Sequence, residues 1–229
     1  MKLSKRLELV ASFVPEGSRI ADIGTDHGYI PIFLTEKGIC QSALAMDVRE
    51  GPLSRAREHI REKNLEDRIQ VRLGDGLKEL RPGEADTVVI AGMGGQLVIH
   101  ILEEGRHMWD SVKTWILSPQ SELDKVRRYL EQEGFMICRE AMTLDEGKYY
   151  TVMAAARGRM KYEEPWEYLY GKLLIQAKDP VLLDFLNQEE KRLKGILGAL
   201  EGQDTPGAEA ARQTAVRQLD WIKEAKDAV

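Results

Sequence analysis

Carboxylates stand beside glycine or other small residues at the ends of three successive β-rich segments of this chain. Asp22 and Asp26 lie in the stretch DIGTDHGYIP, Asp47 lies in the segment SALAMDV, and Asp75 lies in the triplet GDG. If the segments are neighbouring parallel strands, their carboxyl ends meet at one edge of a sheet, where open α/β proteins bind ligands. Acids gathered there can accept hydrogen bonds from hydroxyl and amino groups and can stabilise a bound cation.

The glycines of the first stretch do not match the fingerprint of a dinucleotide-binding loop. That fingerprint is GxGxxG, whereas Gly24 and Gly28 are separated by three residues. A pyrophosphate favours bare backbone N–H groups and a positive potential at a helix N-terminus, so Asp22 and Asp26 would repel it. S-adenosylmethionine carries no phosphate. Its sulfonium and ammonium suit the acids, and glycine N–H groups suit its carboxylate, so the stretch predicts this cofactor.

The acids have both a ligand-binding and a structural interpretation. Asp47, nineteen residues after Gly28, can accept hydrogen bonds from both ribose hydroxyls of a nucleoside. Asp75 is placed to bind the adenine amino group, but Asp75 and Gly76 can also form a plain turn. Asp26 can equally cap the helix that follows it.

The first two thirds of the chain alternate strand patterns with helix patterns. Strands are predicted at 18–24, 42–48, 69–76, 85–95, 114–119, 135–142 and 148–156. Helices are predicted after Gly28 and at 52–64, 96–105 and 121–134. This alternation indicates βαβ units and a mostly parallel sheet, and the last two strands, with no helix between them, indicate an antiparallel hairpin at one edge. The predicted fold class is α/β, with a Rossmann-like seven-stranded sheet of the class I methyltransferase type.

Strand patterns end near residue 160, and helical patterns follow. The first begins at Pro165, and the next two carry apolar residues at near-heptad spacing. These residues are Leu182, Leu186, Leu193, Ile196 and Leu200 in one segment, and Ala208, Ala211, Ala215, Leu219 and Ile222 in the other. Two such helices joined by a Gly/Pro turn predict a C-terminal α-helical antiparallel coiled-coil hairpin. We therefore expect a methyltransferase domain at 1–159 and a helical domain at 160–229.

The composition is typical of a protein that folds in a reducing, aqueous compartment. No apolar run approaches the length of a membrane span, and the first ten residues lack the apolar region of a signal peptide, so we expect a cytoplasmic protein. Cys40 and Cys138 lie in apolar stretches, which predicts buried thiols, and without CxxC motifs or histidine clusters we expect no metal. The net charge of −5 argues mildly against a nucleic-acid partner unless lysines and arginines gather on one face.

The fourth strand ends in AGMGG (91–95), which bears on the atom that is methylated. Enzymes that methylate exocyclic amino groups usually place Asp/Asn-Pro-Pro-Tyr/Phe there, and this sequence has no such motif. Methylation of cytosine C5 needs a nucleophilic cysteine beside the cofactor, and neither cysteine is so placed. The remaining acceptors are a ring nitrogen, such as adenine N1 with its free lone pair, or a group deprotonated by a nearby base.

Side chains beside the second glycine and after the fifth strand can contact such a substrate. Tyr29 can stack on a base or pack as an ordinary aromatic residue. His27 can assist loss of a proton from the methylated base, orient a carboxylate, or serve only as a structural residue of the loop. The segment SPQ (118–120) offers polar contacts, although it also reads as the approach to a helix capped by Ser121.

Several motifs together resemble one family closely. They are LSKRL, DIGTDHGYIP, AMDVREGPL, RLGDGL, IAGMGG, LSPQ and EGKYYTV, which run from residue 3 to about residue 152 and precede the helical tail. The family is the bacterial tRNA adenine-N1 methyltransferases of the TrmK type, which modify adenine 22 of tRNA. The resemblance implies S-adenosylmethionine as cofactor, tRNA as partner, and a base that leaves its stack so that N1 can be reached. We expect no metal and no membrane partner, and a monomer or weak dimer.

The expected site residues combine this resemblance with the positions of the acids. Cofactor contacts are assigned to Asp22, Gly24, Thr25, Gly28, Asp47, Val48, Asp75, Gly76, Ala91, Gly92, Met93 and Gly94. The expected catalytic group near the target base is Asp26, His27 and Tyr29. RNA contacts are assigned to Lys5, Arg6, Arg192, Lys194 and Arg212. The last three lie on the predicted hairpin, where cations often form only a solvated face.

Two other functions stay open at this point. The same fold serves small-molecule and protein methyltransferases, and fold alone does not fix the substrate. A non-catalytic module could bind S-adenosylmethionine, or nothing, and use the helical hairpin to hold a partner protein. The presence of both Asp47 and Asp75 argues against such a degenerate site.

Overall fold

The structure is a computed structural model that describes residues 2–229. The chain forms two compact units, of which the first ends at Lys161 and the second comprises Tyr162–Val229. Within the described residues, no helix is both long enough and apolar enough to cross a membrane.

A seven-stranded sheet forms the centre of the first unit. Its strands are β1 (Ser18–Ile23), β2 (Cys40–Asp47), β3 (Ile69–Leu73), β4 (Thr87–Ala91), β5 (Thr114–Ser118), β6 (Phe135–Asp145) and β7 (Lys148–Arg157). Their spatial order is β3-β2-β1-β4-β5-β7-β6. The first five strands pair in parallel, whereas β7 is antiparallel to both of its neighbours. The predicted Rossmann-like sheet with an antiparallel edge hairpin is confirmed.

Helices connect the strands of the first unit. They are α1 (Lys5–Ala11), α2 (Tyr29–Glu36), α3 (Glu50–Glu62), α4 (Gly95–Glu104) and α5 (Leu123–Gln132), with a 3₁₀ turn at Arg106–Met108. Sequence reasoning assigned no element to the segment that forms α1. Its signal is Ser4, whose side chain caps the helix by accepting a hydrogen bond from the backbone N–H of Leu7 at 3.4 Å.

The central strands are apolar on both faces because helices cover both sides of a parallel sheet. In β4, Val88, Val89 and Ile90 are fully buried. In β1, every residue except Arg19 is buried. From β1, the strands β2 and β3 follow toward one edge of the sheet, whereas β4 and β5 lie on the other side of β1. The direction in which successive strands are added therefore reverses between β1 and β4. This switch point opens a crevice at the carboxyl ends of the strands.

Two local predictions fail for identifiable reasons. Cys138 is exposed, not buried, because the register of β6 slips between Ile137 and Arg139 and leaves Cys138 as the bulged residue. Ser121 does not cap α5, since the cap position is Glu122 in a left-handed conformation. The Ser121 hydroxyl instead accepts a hydrogen bond from the N–H of Gly95 at 3.4 Å. Cys40 is buried as predicted.

The second unit is helical. It contains α6 (Pro165–Tyr170), α7 (Lys172–Gln176), α8 (Pro180–Ala199) and α9 (Pro206–Ala228). The helix predicted from Pro165 is interrupted at Gly171, whose φ of 95° and ψ of 114° are not helical. Helices α8 and α9 pack on each other through Leu182, Leu186, Leu193, Ala208, Ala215 and Ile222, which are buried. Ala211 is exposed despite its place in the predicted stripe, and a coiled coil remains a prediction.

A buried ion pair joins α5 to the edge hairpin of the sheet. The Nε of Arg127 donates to Oε1 of Glu140 at 2.9 Å, and the two side chains are 1% and 0% exposed. Removing one partner of such a pair is costly because the other charge stays buried.

We expect Glu140→Leu to lower the free energy of unfolding by about 3–5 kcal/mol. The double variant Arg127→Met with Glu140→Leu should recover most of that loss, because it leaves no buried charge behind. Urea unfolding followed by circular dichroism gives both values. The control is Lys125→Ala, which breaks an exposed ion pair with Glu122 and should cost about 0.5 kcal/mol or less. If Glu140→Leu is as stable as the wild type, the buried ion pair does not stabilise the fold.

Candidate cofactor and substrate site

A cleft of about 660 Å³ opens at the switch point, within the size range of small-ligand sites. Many of the residues assigned from sequence line it: Arg6, Asp22, Gly24, Thr25, Asp26, Tyr29, Asp47, Val48, Ala91, Gly92 and Met93. The other residues assigned in the first unit do not line it: Lys5, His27, Gly28, Asp75, Gly76 and Gly94. Sequence reasoning missed Arg49 and Leu97, which also line the cleft.

The loop between β1 and α2 is anchored by its backbone at one point. The N–H groups of Gly24 and Thr25 both donate to the carbonyl oxygen of Met46, each at 2.8 Å. The Gly24 N–H is therefore already paired within the protein, and a contact between Gly24 and the cofactor remains a prediction. Glycine is needed at this position for another reason: its φ is +74°, and a Cβ there would lie 2.0 Å from Cε of Met93.

Amide groups farther along the same loop are without an acceptor in the part of the chain that the structure describes. Among residues 2–229, none accepts a hydrogen bond from the N–H groups of Asp26, His27 and Gly28. These amides precede the first turn of α2, where an anion is favoured by the helix dipole. His27 and Gly28 do not line the cleft, however, so we assign no cofactor contact to these amides.

Two buried carboxylates lie in the cleft. Asp22 and Asp47 are 5% and 7% exposed, at the ends of adjacent strands. Burial, reinforced by repulsion from Asp47, raises the pKa of Asp22 from 3.8 to about 6. Asp47 is stabilised by the N–H of Arg49, which donates to its Oδ1 at 2.7 Å. Two acids buried together favour a cation, so the donor set fits the sulfonium and ammonium of S-adenosylmethionine.

Asp75 stands apart from these acids. Its carboxylate is 61% exposed and accepts a hydrogen bond from Nζ of Lys78 at 2.7 Å, which lowers its pKa. The neighbouring Gly76 has a φ of +58°, as the turn interpretation of this segment requires. A contact between Asp75 and adenine remains a prediction.

Asp26 has an exposed carboxylate on the wall of the cleft. It does not cap α2, because Gly28 occupies the cap position without a side-chain hydrogen bond. Its Oδ1 lies 3.4 Å from Nε2 of His27 and 3.8 Å from a terminal nitrogen of Arg55. This carboxylate is therefore held between two basic groups at the cleft.

Three near-parallel rings pack together, one of them that of His27, the neighbour of Asp26. The ring centroids of His27, Tyr29 and His59 are 5.2–5.9 Å apart, with interplanar angles of 8–20°. Of the three, only Tyr29 lines the cleft. His59 comes from α3, and sequence reasoning missed it, because a single histidine on an amphipathic helix carries no distinguishing signal.

The loops after β4 and β5 form the opposite wall. The N–H of Gly92 donates to the carbonyl of Ser118 at 3.2 Å, and the N–H of Gln120 donates to that of Met93 at 2.8 Å. The hydroxyl of Ser118 turns inward and donates to the carbonyl of Thr151 at 3.0 Å. In the predicted SPQ segment, Gln120 is therefore the residue that faces the cleft.

Arg6 projects from α1 to the mouth of the cleft. Its backbone N–H donates to Oδ2 of Asp145 at 3.0 Å, and its guanidinium lies over the ring of Tyr150, 5.4 Å from the centroid. No carboxylate of residues 2–229 forms an ion pair with the Arg6 side chain. The guanidinium is thus a free cation beside the cleft.

The basic residues assigned on the second unit are paired with acids of their own helices. Arg192 contacts Glu189 at 2.7 Å, Lys194 contacts Glu190 at 2.5 Å, and Arg212 contacts Glu209. Lys194 and Lys226 hold the pKa of Glu190 near 2. RNA binding by Arg192, Lys194 and Arg212 remains a prediction.

A metal site is not evident in the part of the chain that the structure describes. Among residues 2–229, no group of three or more His, Cys, Asp or Glu side chains is arranged to hold an ion.

Comparison with known proteins gives the relationship of the whole chain. Residues 3–153 match the family described as "Methyltransferase domain". The chain is 32% identical over 237 aligned residues to the tRNA (adenine(22)-N(1))-methyltransferase of Bacillus subtilis (strain 168), covering 99% of this chain and 98% of that relative.

Solved structures agree with that match. The crystal structure of the Bacillus subtilis m1A22 tRNA methyltransferase TrmK has a TM-score of 0.86 at 32% identity, covering 98% of each chain. Sp1610 of Streptococcus pneumoniae, solved in complex with S-adenosyl-L-methionine, has a TM-score of 0.88 at 36% identity, covering 98% of this chain and 99% of that one. This chain therefore belongs to the tRNA (adenine(22)-N1)-methyltransferase family.

Proposed function

We propose that the protein transfers the methyl group of S-adenosylmethionine to N1 of an adenine in tRNA, the adenine at position 22. The observation that carries this proposal is the full-length match to the Bacillus subtilis enzyme. The cleft supports it, because a pair of buried carboxylates at the switch point suits a cationic nucleoside cofactor. We place the reaction in the cytoplasm and expect a monomer or weak dimer.

The residues of the cleft can be assigned to parts of the cofactor. When bound, S-adenosylmethionine supplies a methyl group attached to a positively charged sulfur. Asp22 balances the cationic groups, and the second oxygen of Asp47 is available to the ribose hydroxyls, since its first oxygen accepts the N–H of Arg49. Val48 and Leu97, exposed by 60% and 48%, offer apolar walls to the adenine ring.

The acceptor side of the cleft fits an unstacked adenine. N1 lies on the Watson–Crick edge, so the base must leave its stack before methylation. Its lone pair is free at neutral pH, and no residue has to remove a proton before attack. Tyr29 can stack on the base, and the carboxylate of Asp26 can stabilise the positive charge that the ring gains. Since His27 does not line the cleft, we assign it to orienting Asp26.

The other candidate functions lack a supporting observation in the site. Small-molecule and protein substrates are not favoured by any feature of the cleft wall. A non-catalytic module that binds nothing is disfavoured because a buried pair of acids destabilises a protein that binds no cation. A non-catalytic module that binds S-adenosylmethionine is separated from the enzyme by the transfer assay below.

The first test is methyl transfer itself. With labelled S-adenosylmethionine and unmodified tRNA, we expect 1-methyladenosine on nucleoside analysis, and we expect Asp47→Asn to abolish it by loss of cofactor binding. The matched control, Asp67→Asn, changes an exposed acid outside the cleft and should leave transfer unchanged. Cofactor binding without label in tRNA would refute the proposed substrate.

The raised pKa of Asp22 predicts a trade-off between stability and cofactor binding. Because the unfolded chain loses this proton near 3.8 and the folded protein near 6, the ligand-free protein loses stability as pH rises through that window. Asp22→Asn should therefore stabilise the ligand-free protein at pH 7.5 by up to about 3 kcal/mol, the equivalent of the shift.

Cofactor affinity should show the opposite trend. A cation beside Asp22 favours the ionised carboxylate, so we expect wild-type affinity to rise as pH increases through 6. Titration calorimetry at several pH values measures this, alongside thermal unfolding. A rise of equal size in Asp22→Asn would show that another group is responsible.

The free cation at the mouth of the cleft predicts a role for Arg6 in tRNA binding. Arg6→Ala should weaken binding and reduce the slope of log affinity against log salt concentration by about one unit, the contribution of one phosphate contact. Arg192→Ala is the matched comparison and should change the slope less, because Glu189 already pairs with it. Filter binding at a series of salt concentrations measures both. An unchanged slope in Arg6→Ala would exclude a phosphate contact.

A further inference from the structure

We propose that His59, on helix α3, is a positioning residue that holds the acceptor half of the β1–α2 loop in place. This inference rests on the proposed function, and it concerns how Asp26 and Tyr29 are presented to the substrate adenine. The residue contacts neither substrate nor cofactor in our assignment, since it does not line the cleft. It acts through His27.

His27 has a backbone conformation that needs external support. Its φ is +59°, in the left-handed region, which a residue with a side chain adopts only at a cost of about 1 kcal/mol or more. Gly28 follows with a φ of +69°, so two consecutive residues turn the chain into α2. The ring of His27 does not hold this turn by itself, because its buried Nδ1 has no hydrogen-bond partner among residues 2–229.

His59 supplies that support from a separate element. Its Nδ1 lies 3.0 Å from the carbonyl oxygen of His27. A carbonyl oxygen only accepts, so Nδ1 of His59 carries the proton and donates. The ring of His59 also lies near-parallel to that of His27, with centroids 5.5 Å apart. A single side chain thus fixes both the backbone and the ring of the strained residue.

Helix α3 is placed to do this. A Cβ at Gly28 would lie 3.4 Å from Cβ of Ala56, so the loop and the helix are in close contact. Arg55 and His59 are four residues apart and share one face of α3. Arg55 reaches the carboxylate of Asp26 at 3.8 Å while His59 reaches the carbonyl of His27.

The cofactor half of the loop has an independent anchor. Gly24 and Thr25 are tied to the carbonyl of Met46, on β2, and this attachment does not involve α3. Loss of the His59 hydrogen bond should therefore disturb Asp26 and Tyr29 while leaving the cofactor contacts intact. A residue needed only for folding would affect both halves together.

Three substitutions separate the hydrogen bond from the ring. His59→Ala removes both, and His59→Phe keeps the ring but has no N–H. In His59→Asn the side-chain amide nitrogen takes the position of Nδ1 and can donate. We expect kcat for tRNA methylation to fall about tenfold in His59→Ala and His59→Phe, the effect of one lost hydrogen bond, with the affinity for S-adenosylmethionine changed by about twofold or less. His59→Asn should stay within about threefold of the wild type.

The control is another histidine that bonds to a carbonyl. Nε2 of His107 donates to the carbonyl of Leu80 at 3.0 Å, away from the cleft, and His107→Ala should leave kcat unchanged. Thermal unfolding of every variant checks folding. If His59→Ala does not fold, the Asn and Phe variants carry the comparison.

A second readout does not depend on activity. The Cα chemical shift of ¹³C-labelled His27 reports its backbone conformation, and it should move away from left-handed values in His59→Phe but not in His59→Asn. If the wild-type protein transfers no methyl group to tRNA, the proposed function fails, and this shift still decides the role of His59.

Several results would overturn the inference. They are wild-type kcat in His59→Ala or His59→Phe, equal impairment in His59→Asn and His59→Ala, or a loss of cofactor affinity that parallels the loss of kcat. An unchanged His27 shift in His59→Phe would do so as well.

Discussion

The burial of two carboxylates in one cleft is the constraint around which this site is built. Parallel pairing of β1 with β2 brings Asp22 and Asp47 to the same edge of the sheet, because both strands end there. In that position burial raises the pKa of Asp22, and repulsion from Asp47 adds a smaller contribution. A phosphate ligand would add a third negative charge, whereas a sulfonium and an ammonium relieve the repulsion. The choice of cofactor thus follows from where two acids are placed on adjacent strands.

The same constraint accounts for the loop that follows β1. An ordinary glycine-rich phosphate loop presents its first amides to the ligand. Here the amides of Gly24 and Thr25 bind the carbonyl of Met46, next to Asp47, which ties the two acid-bearing strand ends together. The amides of Asp26, His27 and Gly28, just before α2, have no hydrogen-bond acceptor among residues 2–229. The first amides of this loop therefore hold the two acid-bearing strand ends in place.

The architecture and the central acids were predictable from the sequence because they depend on periodicity and on strand ends. The order of strands and helices follows from the alternation of apolar patterns, and Asp22 and Asp47 follow from their place after two buried strands. The predictions that are wrong concern places where a single residue, by its conformation or as an extra residue in a strand, changes the local structure. Cys138, predicted to be buried, lies on a bulge that no pattern of alternation reveals, and Glu122 in a left-handed conformation takes the cap position predicted for Ser121.

His59 shows a different limit of sequence reasoning. Its importance comes from a contact with a residue 32 positions earlier in the chain. Only the packing of α3 on the β1–α2 loop brings the two together, and the local sequence of α3 is that of any amphipathic helix. Site residues that act through a neighbour are therefore found from structure, even where the residues that touch the ligand are found from sequence.

The charge distribution limits where tRNA can be attracted. With a net charge of −5, the chain repels phosphate on average, so binding has to depend on local groups of cations. On α8 and α9, Arg192, Lys194 and Arg212 are paired with glutamates within four residues, and such pairs cancel most of the local potential. At the cleft, the guanidinium of Arg6 lies over the ring of Tyr150 and forms no ion pair with a carboxylate of residues 2–229. In our proposal, Arg6 therefore attracts tRNA to the point where the target base has to enter.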